Sequence, residues 1–208
     1  MKKFAYGNTE TIDLWSAWEQ VSGMPVMEMM ASWTEQMGYP LVRVIGEEWQ
    51  DDKVTLELEQ IWFLADGSEL DSEEAAKKWT IPILSCTADG SQADMTLMRE
   101  KTASITILIS KGGWVKLNAG QEVPMHVLNT IEMLKRLTPA IQSKALPAID
   151  RAALVADAYA LVKAGHQSPS SLIELLGNYR DEDDYIVWEA LSDCLSGLST
   201  VLSGNEEI

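Results

Sequence analysis

The sequence predicts a mixed α and β, multidomain chain: a helical hairpin, then an antiparallel β-sandwich, then an antiparallel α-helical array that begins a superhelical domain. Three observations carry this. Apolar residues recur every three or four positions up to Met37, then alternate in the two-residue period of strands, and return to helical spacing beyond the stretch from Lys111 to Pro124. Gly and Pro stand where the early helices should stop and start. Six or seven short strand patterns with turns between them fill about eighty residues, the density of a small sandwich. The expected divisions are 1–39, 40–122 and 123–208.

In the hairpin, Thr9-Glu10-Thr11 offers caps to a helix whose apolar face is Ile12, Leu14, Trp15, Trp18 and Val21, and Gly23 ends it. Pro25 begins a second helix with the stripe Val26, Met30, Trp33 and Met37, and Gly38 follows it. Met24, Met27, Met29, Met30 and Met37 fall at helical spacing and are read as core filler rather than as an adaptable groove.

From Tyr39-Pro40 the pattern becomes Leu41 to Ile45, then Val54, Leu56 and Leu58 alternating with Thr55, Glu57 and Glu59 up to Trp62-Phe63, one face wet and one buried. Ala65 to Lys78, with its Gly and acidic residues, is expected to be an exposed, mobile loop. Trp79 to Ile83 carries Pro82 and belongs at an edge or bulge. Met95 with Leu97, then Ile105, Ile107 and Ile109, then Trp114 to Leu117, complete the strands.

Beyond the joint a helix is expected from Val127 to Leu137, with Pro139 marking its end. Pro147 opens the next, which stops at Gly165. Ser168 caps a third that runs to about Tyr179. The acidic turn Arg180 to Asp184 leads into a fourth with the stripe Val187, Leu191, Cys194, Leu198 and Val201. The sequence closes at Gly204 to Ile208 without an obvious capping element.

Composition narrows the function. With 16 Lys plus Arg against 32 Asp plus Glu, the 208-residue chain has a formal charge of −16. Nucleic acid and anionic membrane surfaces are poor partners for such a chain, because phosphate binding needs clustered cations. Met1-Lys2-Lys3 is not followed by a signal-length apolar run, and no stretch approaches the length of a membrane span. Two cysteines, Cys86 and Cys194, fit a reducing, cytoplasmic setting rather than a disulfide framework.

Motifs for chemistry are missing. The histidines are His126 and His166, which cannot form the i, i+4 pair of a His-Glu-x-x-His zinc site. No phosphate-binding glycine loop or nucleophile elbow is present. Asp150 and Asp157 share one side of a helix with Leu154 and Leu161. A carboxylate on a packing face must find hydrogen-bond partners, so Asp157 is expected to accept from a neighbouring helix terminus, a Trp indole or an Arg. Asp150, Arg151 and Asp157 are thus read as a structural tie between helices.

Several segments, taken in order, resemble one known family. They are Asp13-Leu14-Trp15, Ser22-Gly23-Met24-Pro25-Val26, Trp33-Thr34-Glu35-Gln36-Met37-Gly38-Tyr39-Pro40, Trp79-x-x-Pro82, Trp114-Val115-Lys116-Leu117-Asn118, and Asp150-Arg151 with Leu154, Asp157, Leu161, Ala164 and Gly165. The set is similar to the non-catalytic, C-terminal portion of zinc aminopeptidases of the puromycin-sensitive type, whose catalytic domain is thermolysin-like. The resemblance implies that residues 1–39 are a helical tail of that catalytic domain and that Trp114, Lys116, Asn118 and Gly120 form the joint between domains. It implies a parent that uses zinc to remove N-terminal amino acids from peptides, with the catalytic domain of the same polypeptide as this segment's partner. The family's zinc ligands and Gly-x-Met-Glu-Asn motif lie upstream of the matched region, so catalytic, metal and cofactor residues are expected to be none here. The sequence departs from the family at Val123-Pro124-Met125-His126, where relatives carry Gly, an aromatic residue, Tyr and Arg. An independent protein-binding module is the alternative. Self-association through an uncovered helical face around Trp188, Leu191 and Leu198 is a further expectation.

Overall fold

The computed structural model describes residues 4–90 and 95–203. The residues at either end, including the uncapped close read at Gly204 to Ile208, lie outside the described residues.

The two early helices are α1 (Thr11–Ser22) and α2 (Val26–Thr34). Glu10 and Asp13 form a reciprocal capping box at the start of α1, and Gly23 closes it at a φ of 69°, a left-handed turn that costs glycine little. Their faces are not filled as the periodicity implies. Ile12, Leu14, Trp18 and Val21 are exposed, and none of Met24, Met27, Met29, Met30 and Met37 is buried. The core-filler reading of the methionines is therefore corrected. Met24 and Met29 line an open groove of about 440 Å³ with Trp18, Val21, Pro82 and Leu97. The hairpin is anchored by Trp33, which packs against the strand core, and by polar bonds from α2 and the turn after it. The Trp33 indole donates to Thr80 O at 3.1 Å, Ser32 Oγ accepts from Thr80 N at 2.9 Å, and Gln36 donates to Lys78 O at 2.9 Å.

Strands β1 (Pro40–Gln50) and β2 (Lys53–Trp62) form a long antiparallel hairpin with a bulge between Val44 and Gly46. β3 (Ile81–Ile83) pairs with β5 (Thr96–Met98), and β4 (Ser85–Thr87) pairs with β7 (Val115–Leu117), each as a short antiparallel ladder. β6 (Thr102–Leu108) lies antiparallel to β2. β8 (His126–Leu128) then adds to the far edge of β1, giving the order β6-β2-β1-β8. One apolar cluster joins Val42, Val54, Leu56 and Ile107 of the sheet to Ile81, Met98, Val115 and Leu117 of the ladders.

Two expectations change here. The sheet is not wholly antiparallel, because β8 runs parallel to β1. Val127 and Leu128, read as the start of a helix, belong to the strand β8. Three residues carry no period, and their pairing partner lies far back in the chain, so local pattern could not announce them. Within β2 the buried phase is occupied at its end by Gln60, which is fully buried. It donates to Trp79 O at 2.9 Å and Glu100 O at 3.0 Å and accepts from Trp79 N at 2.7 Å, replacing ladder bonds that the irregular strands lack. The 65–78 loop is largely exposed, as expected, but it contains the short helix α3 (Ser72–Ala76), capped by Asp71. Gly67 of this loop sits so close to Ala164 that a Cβ would lie 2.7 Å from its carbonyl oxygen.

The helical region comprises α4 (Ile131–Gln142), α5 (Ala148–Lys163), α6 (Pro169–Leu176) and α7 (Tyr185–Leu202). Thr130 caps α4, and its hydroxyl also donates to Glu47 of β1 at 2.6 Å, while Arg136 pairs with the same carboxylate. Pro139 lies inside α4 rather than at its end. A mid-helix proline costs about 3 kcal/mol. Leu137, Ala140 and Ile141 around it are buried, and their transfer from water offsets that cost. Ser168 and Asp184 cap α6 and α7 through Ser171 N and Ile186 N. Val187, Leu191 and Cys194 of α7 pack inward with Leu154, Val155 and Ala158 of α5. Leu191 is therefore not on the open side; Trp188 and Leu195, seven residues apart, are exposed on one side of α7, and Ile186 and Val201 are exposed elsewhere on it. A third cluster, Leu41, Phe63, Leu161 and Ala164, seals the end of α5 against the sheet. No helix among the described residues is long and apolar enough to cross a membrane.

Candidate functional site at the joint

The residues singled out by the sequence converge where β7 leaves the sheet core and meets α5. Val115 and Leu117 point into the strand cluster, while Trp114 and Cys86 of the paired strand lean on the helical cluster. Between them Lys116 is buried, with only 1% of its surface exposed. Its ammonium donates to Leu117 O at 2.5 Å and lies 3.6 Å from Asp150 Oδ1. Burial pulls the Lys116 ammonium below its ordinary range, and Asp150 and then Asp157 oppose that pull. Asp150 also accepts from Gly120 N at 2.9 Å.

Asn118 shapes the turn. It adopts left-handed backbone at φ 53°, which Asn tolerates better than most side chains, and it is fully buried. Its amide donates to Val123 O at 2.9 Å and its carbonyl accepts from Val123 N at 3.1 Å, closing the loop over the 3₁₀ turn Ala119–Gln121. Gly120 within that turn has φ 72°.

Asp157 accepts from His126 Nδ1 at 2.7 Å and from Val127 N at 3.2 Å. The partners are a histidine and a strand amide, not the helix terminus, indole or guanidinium expected. Asp150 and Asp157 consequently tie α5 to the joint and to β8, not to another helix. Arg151 does bridge helical elements. It grips Glu182 through two bonds of 2.7 and 2.8 Å and donates to Leu146 O, while Tyr179 OH donates to the Arg151 carbonyl at 2.9 Å. The Arg151 bonds hold the Glu182 carboxyl down to about 2 against the opposing effect of burial, and burial pushes the Tyr179 phenol up.

On the other side of His126, Nε2 faces Tyr39 OH at 3.4 Å, and the Phe63 ring meets the imidazole edge-on at 4.5 Å. His126, Tyr39 and Glu182 were not among the site residues read from the sequence; His126 alone carried a signal, as the point of departure from the family pattern. A groove of about 350 Å³ opens over Tyr39, Pro124, Met125, His126, Ala153 and Asp157.

Chemically this arrangement holds and orients. Burial pushes the Cys86 thiol up to about 11, with Asp150 adding to the effect and Lys116 opposing it, which leaves it protonated and a poor nucleophile at neutral pH. Among the described residues no group of three or more His, Cys, Asp or Glu side chains could hold a metal ion. The side chains here do not fit a zinc site, and no step through zinc is assigned to them.

Residues 114–208 match the model of the ERAP1-like C-terminal domain. The chain is similar to the puromycin-sensitive aminopeptidase of Caenorhabditis elegans, at 34% identity over 95% of this chain and 21% of the relative. It is similar also to Aminopeptidase M1-A of Oryza sativa subsp. japonica, at 37% identity over 93% of this chain and 22% of that protein. The alanine/arginine aminopeptidase of Saccharomyces cerevisiae is 32% identical over 96% of this chain and 22% of its own length. The chain corresponds in sequence to a C-terminal portion of these aminopeptidases and spans about a fifth of their length.

Replacing Asp157 by Ala leaves Val127 N and the imidazole without their acceptor, and a lost partner in a buried bond costs about 1–3 kcal/mol. Urea unfolding of Asp157→Ala should show a deficit of that size, and an unchanged midpoint would contradict the tie. The Arg151–Glu182 pair has its own signature. A carboxyl held below its unfolded value of 4.5 contributes stability that is complete above that value and is lost as the pH falls towards about 2. The stability of Glu182→Gln should therefore fall less steeply than that of the parent chain across this acid range, whereas parallel curves would count against the pair.

Proposed function

We propose that this chain is the non-catalytic portion of a zinc-dependent aminopeptidase that removes N-terminal amino acids from peptides, and that it sets the helical array over the active site of a catalytic domain in the same polypeptide. In this reading residues 1–39 are the helical tail of a thermolysin-like catalytic domain, 40–122 form a β-sandwich, and 123–208 begin the superhelical domain, with β8 reaching back to the sheet. Zinc and the peptide-binding groups belong to the parent's other segments. The setting is cytoplasmic, which suits two free thiols and a strongly acidic surface.

The observation that carries the proposal is the contrast between a centre tied by buried polar bonds and open apolar surface on α1–α2 and α7. At the joint, Lys116, Asn118 and Asp157 each find partners. On α1, by contrast, no residue is buried although Ile12, Leu14, Trp18 and Val21 are apolar. Contiguous apolar surface of this kind marks a face that another body covers. In the parent, the catalytic domain covers the hairpin and further helices cover Trp188 and Leu195 of α7. In the isolated chain the α7 face self-associates.

One preparation tests both parts. The purified 208-residue chain should bind no stoichiometric zinc and show no turnover of aminoacyl fluorogenic substrates, and light scattering should report concentration-dependent oligomers that Trp188→Glu suppresses. Zinc-dependent turnover by the pure chain would overturn the assignment of catalysis to other segments. Strictly monomeric behaviour at high concentration would overturn the open α7 face.

A further inference from the structure

Besides the groove over His126, a second groove of about 350 Å³ lies where β4, the 3₁₀ turn and the start of α5 meet. Leu84, Pro147 and Ile149 line it with apolar surface, and Ser85, Glu122 and Asp150 line it with polar surface. Two of these polar side chains are nearly buried and incompletely bonded. Asp150 is 2% exposed; its Oδ1 accepts from Gly120 N and faces Lys116 Nζ at 3.6 Å, whereas Oδ2 has no hydrogen-bond partner among the described residues. Ser85 is 4% exposed, and its hydroxyl is likewise without a partner among the described residues. Buried polar atoms of this kind are ordinarily satisfied. The unpartnered atoms sealed from solvent are Arg43 Nε, Trp79 Nε1 and Asn129 Oδ1. Asp150 Oδ2 and the Ser85 hydroxyl are not sealed, and the groove they line is their opening. Glu122 is exposed at the rim, its Oε1 3.5 Å from where a Cβ on Gly120 would stand, and it makes no ion pair among the described residues. Lys116 does not line the groove, and its ammonium is spent on Leu117 O and Asn118 O.

We propose that this groove binds a small primary amine with an apolar body. The ammonium donates to Asp150 Oδ2 and to the Ser85 hydroxyl, with the Glu122 carboxylate over it at the rim, and the body lies against Leu84, Pro147 and Ile149. The vacant groups select the class. A free carboxylate oxygen deep in the groove and a second carboxylate at its mouth call for a donor that carries positive charge, because such bonds are the strong ones and a lone buried acceptor is costly. An ammonium offers three donors and no acceptor, which matches two oxygens on the floor and one at the rim. An anion meets two carboxylates here, and the positive end of α5 gives it no foothold, since Asp150 already occupies the first turn of that helix. A neutral alcohol of the same shape brings one donor and no charge. The volume lies near the lower limit of small-molecule pockets, which suits a compact amine. An occupant at this place bridges β4 of the strand region and the first turn of α5, the two sides of the joint.

Amide NMR of the 208-residue chain, titrated at about pH 7 with phenethylamine, 2-phenylethanol and 3-phenylpropionate, tests both the place and the class. Phenethylamine should give saturable shifts at Cys86, Gly120 and Ile149. The alcohol should bind at least about tenfold more weakly, and the acid should leave these resonances unmoved. Ser85→Ala should weaken phenethylamine about three- to tenfold through the lost acceptor. Glu122→Gln, an exposed replacement, should weaken it about two- to threefold and reduce its dependence on salt. Equal binding of amine and alcohol, shifts that do not saturate by about 20 mM or that spread over the acidic surface, or an unchanged affinity in Ser85→Ala overturns the proposal. If Ser85→Ala fails to fold, an unchanged affinity in Glu122→Gln overturns it instead.

Discussion

Two carboxylates on one side of α5 hold the chain's change of architecture in place. Asp150 meets Lys116 and the amide of Gly120, and Asp157, two helical turns on, meets His126 and the amide of Val127. Together they fasten one helix to two successive points of the segment that leaves β7 and returns as β8. The helix cannot roll without breaking one contact, nor slide along its axis without breaking both. The other helices then take their positions from α5: α7 packs along it through Val187, Leu191 and Cys194, and Arg151 secures the turn before α7 through Glu182.

Buried charge is a poor source of net stability, since desolvation can exceed what the pairing returns. The folding energy comes from the apolar clusters on either side. What a charged joint supplies is discrimination among arrangements, because any geometry that leaves Lys116 or Asp157 buried without a partner costs several kcal/mol. Apolar residues at the same positions would tolerate a range of angles between sheet and helices. This distinction explains why the joint is polar while its surroundings, Val115, Leu117, Leu137 and Leu154, are not.

Much of this was legible in the residues. The alternation from Val54 to Leu58, the cap at Ser168, and the stops at Gly23 and Gly165 follow from local chemistry and lie where the sequence put them. That Asp157 on a packing face needs partners was also readable, because the requirement belongs to the carboxylate itself. The identity of the partners was not. His126 reaches Asp157 through a three-residue parallel strand whose partner, β1, precedes it by some eighty positions, and no periodicity reports such an arrangement. Gln60 occupies an apolar phase because Trp79 and Glu100 present backbone groups that need bonds, again a non-local fact. The early hairpin misled in the opposite direction. Its stripe was read as facing a core within this chain, yet amphipathicity tells only that a face is to be covered, not what covers it.

The central claim is that Lys116 and Asp150 act as one unit at the joint. A double-mutant cycle of Lys116→Met and Asp150→Leu, followed by urea unfolding, measures this directly. Each single replacement strands the other charge in a buried site, a loss of about 3–5 kcal/mol, and the double replacement removes both charges. The account predicts that the double variant is less destabilised than the sum of the singles by about 1–3 kcal/mol. Additivity within about 0.5 kcal/mol would show that the two residues do not act together and would contradict it.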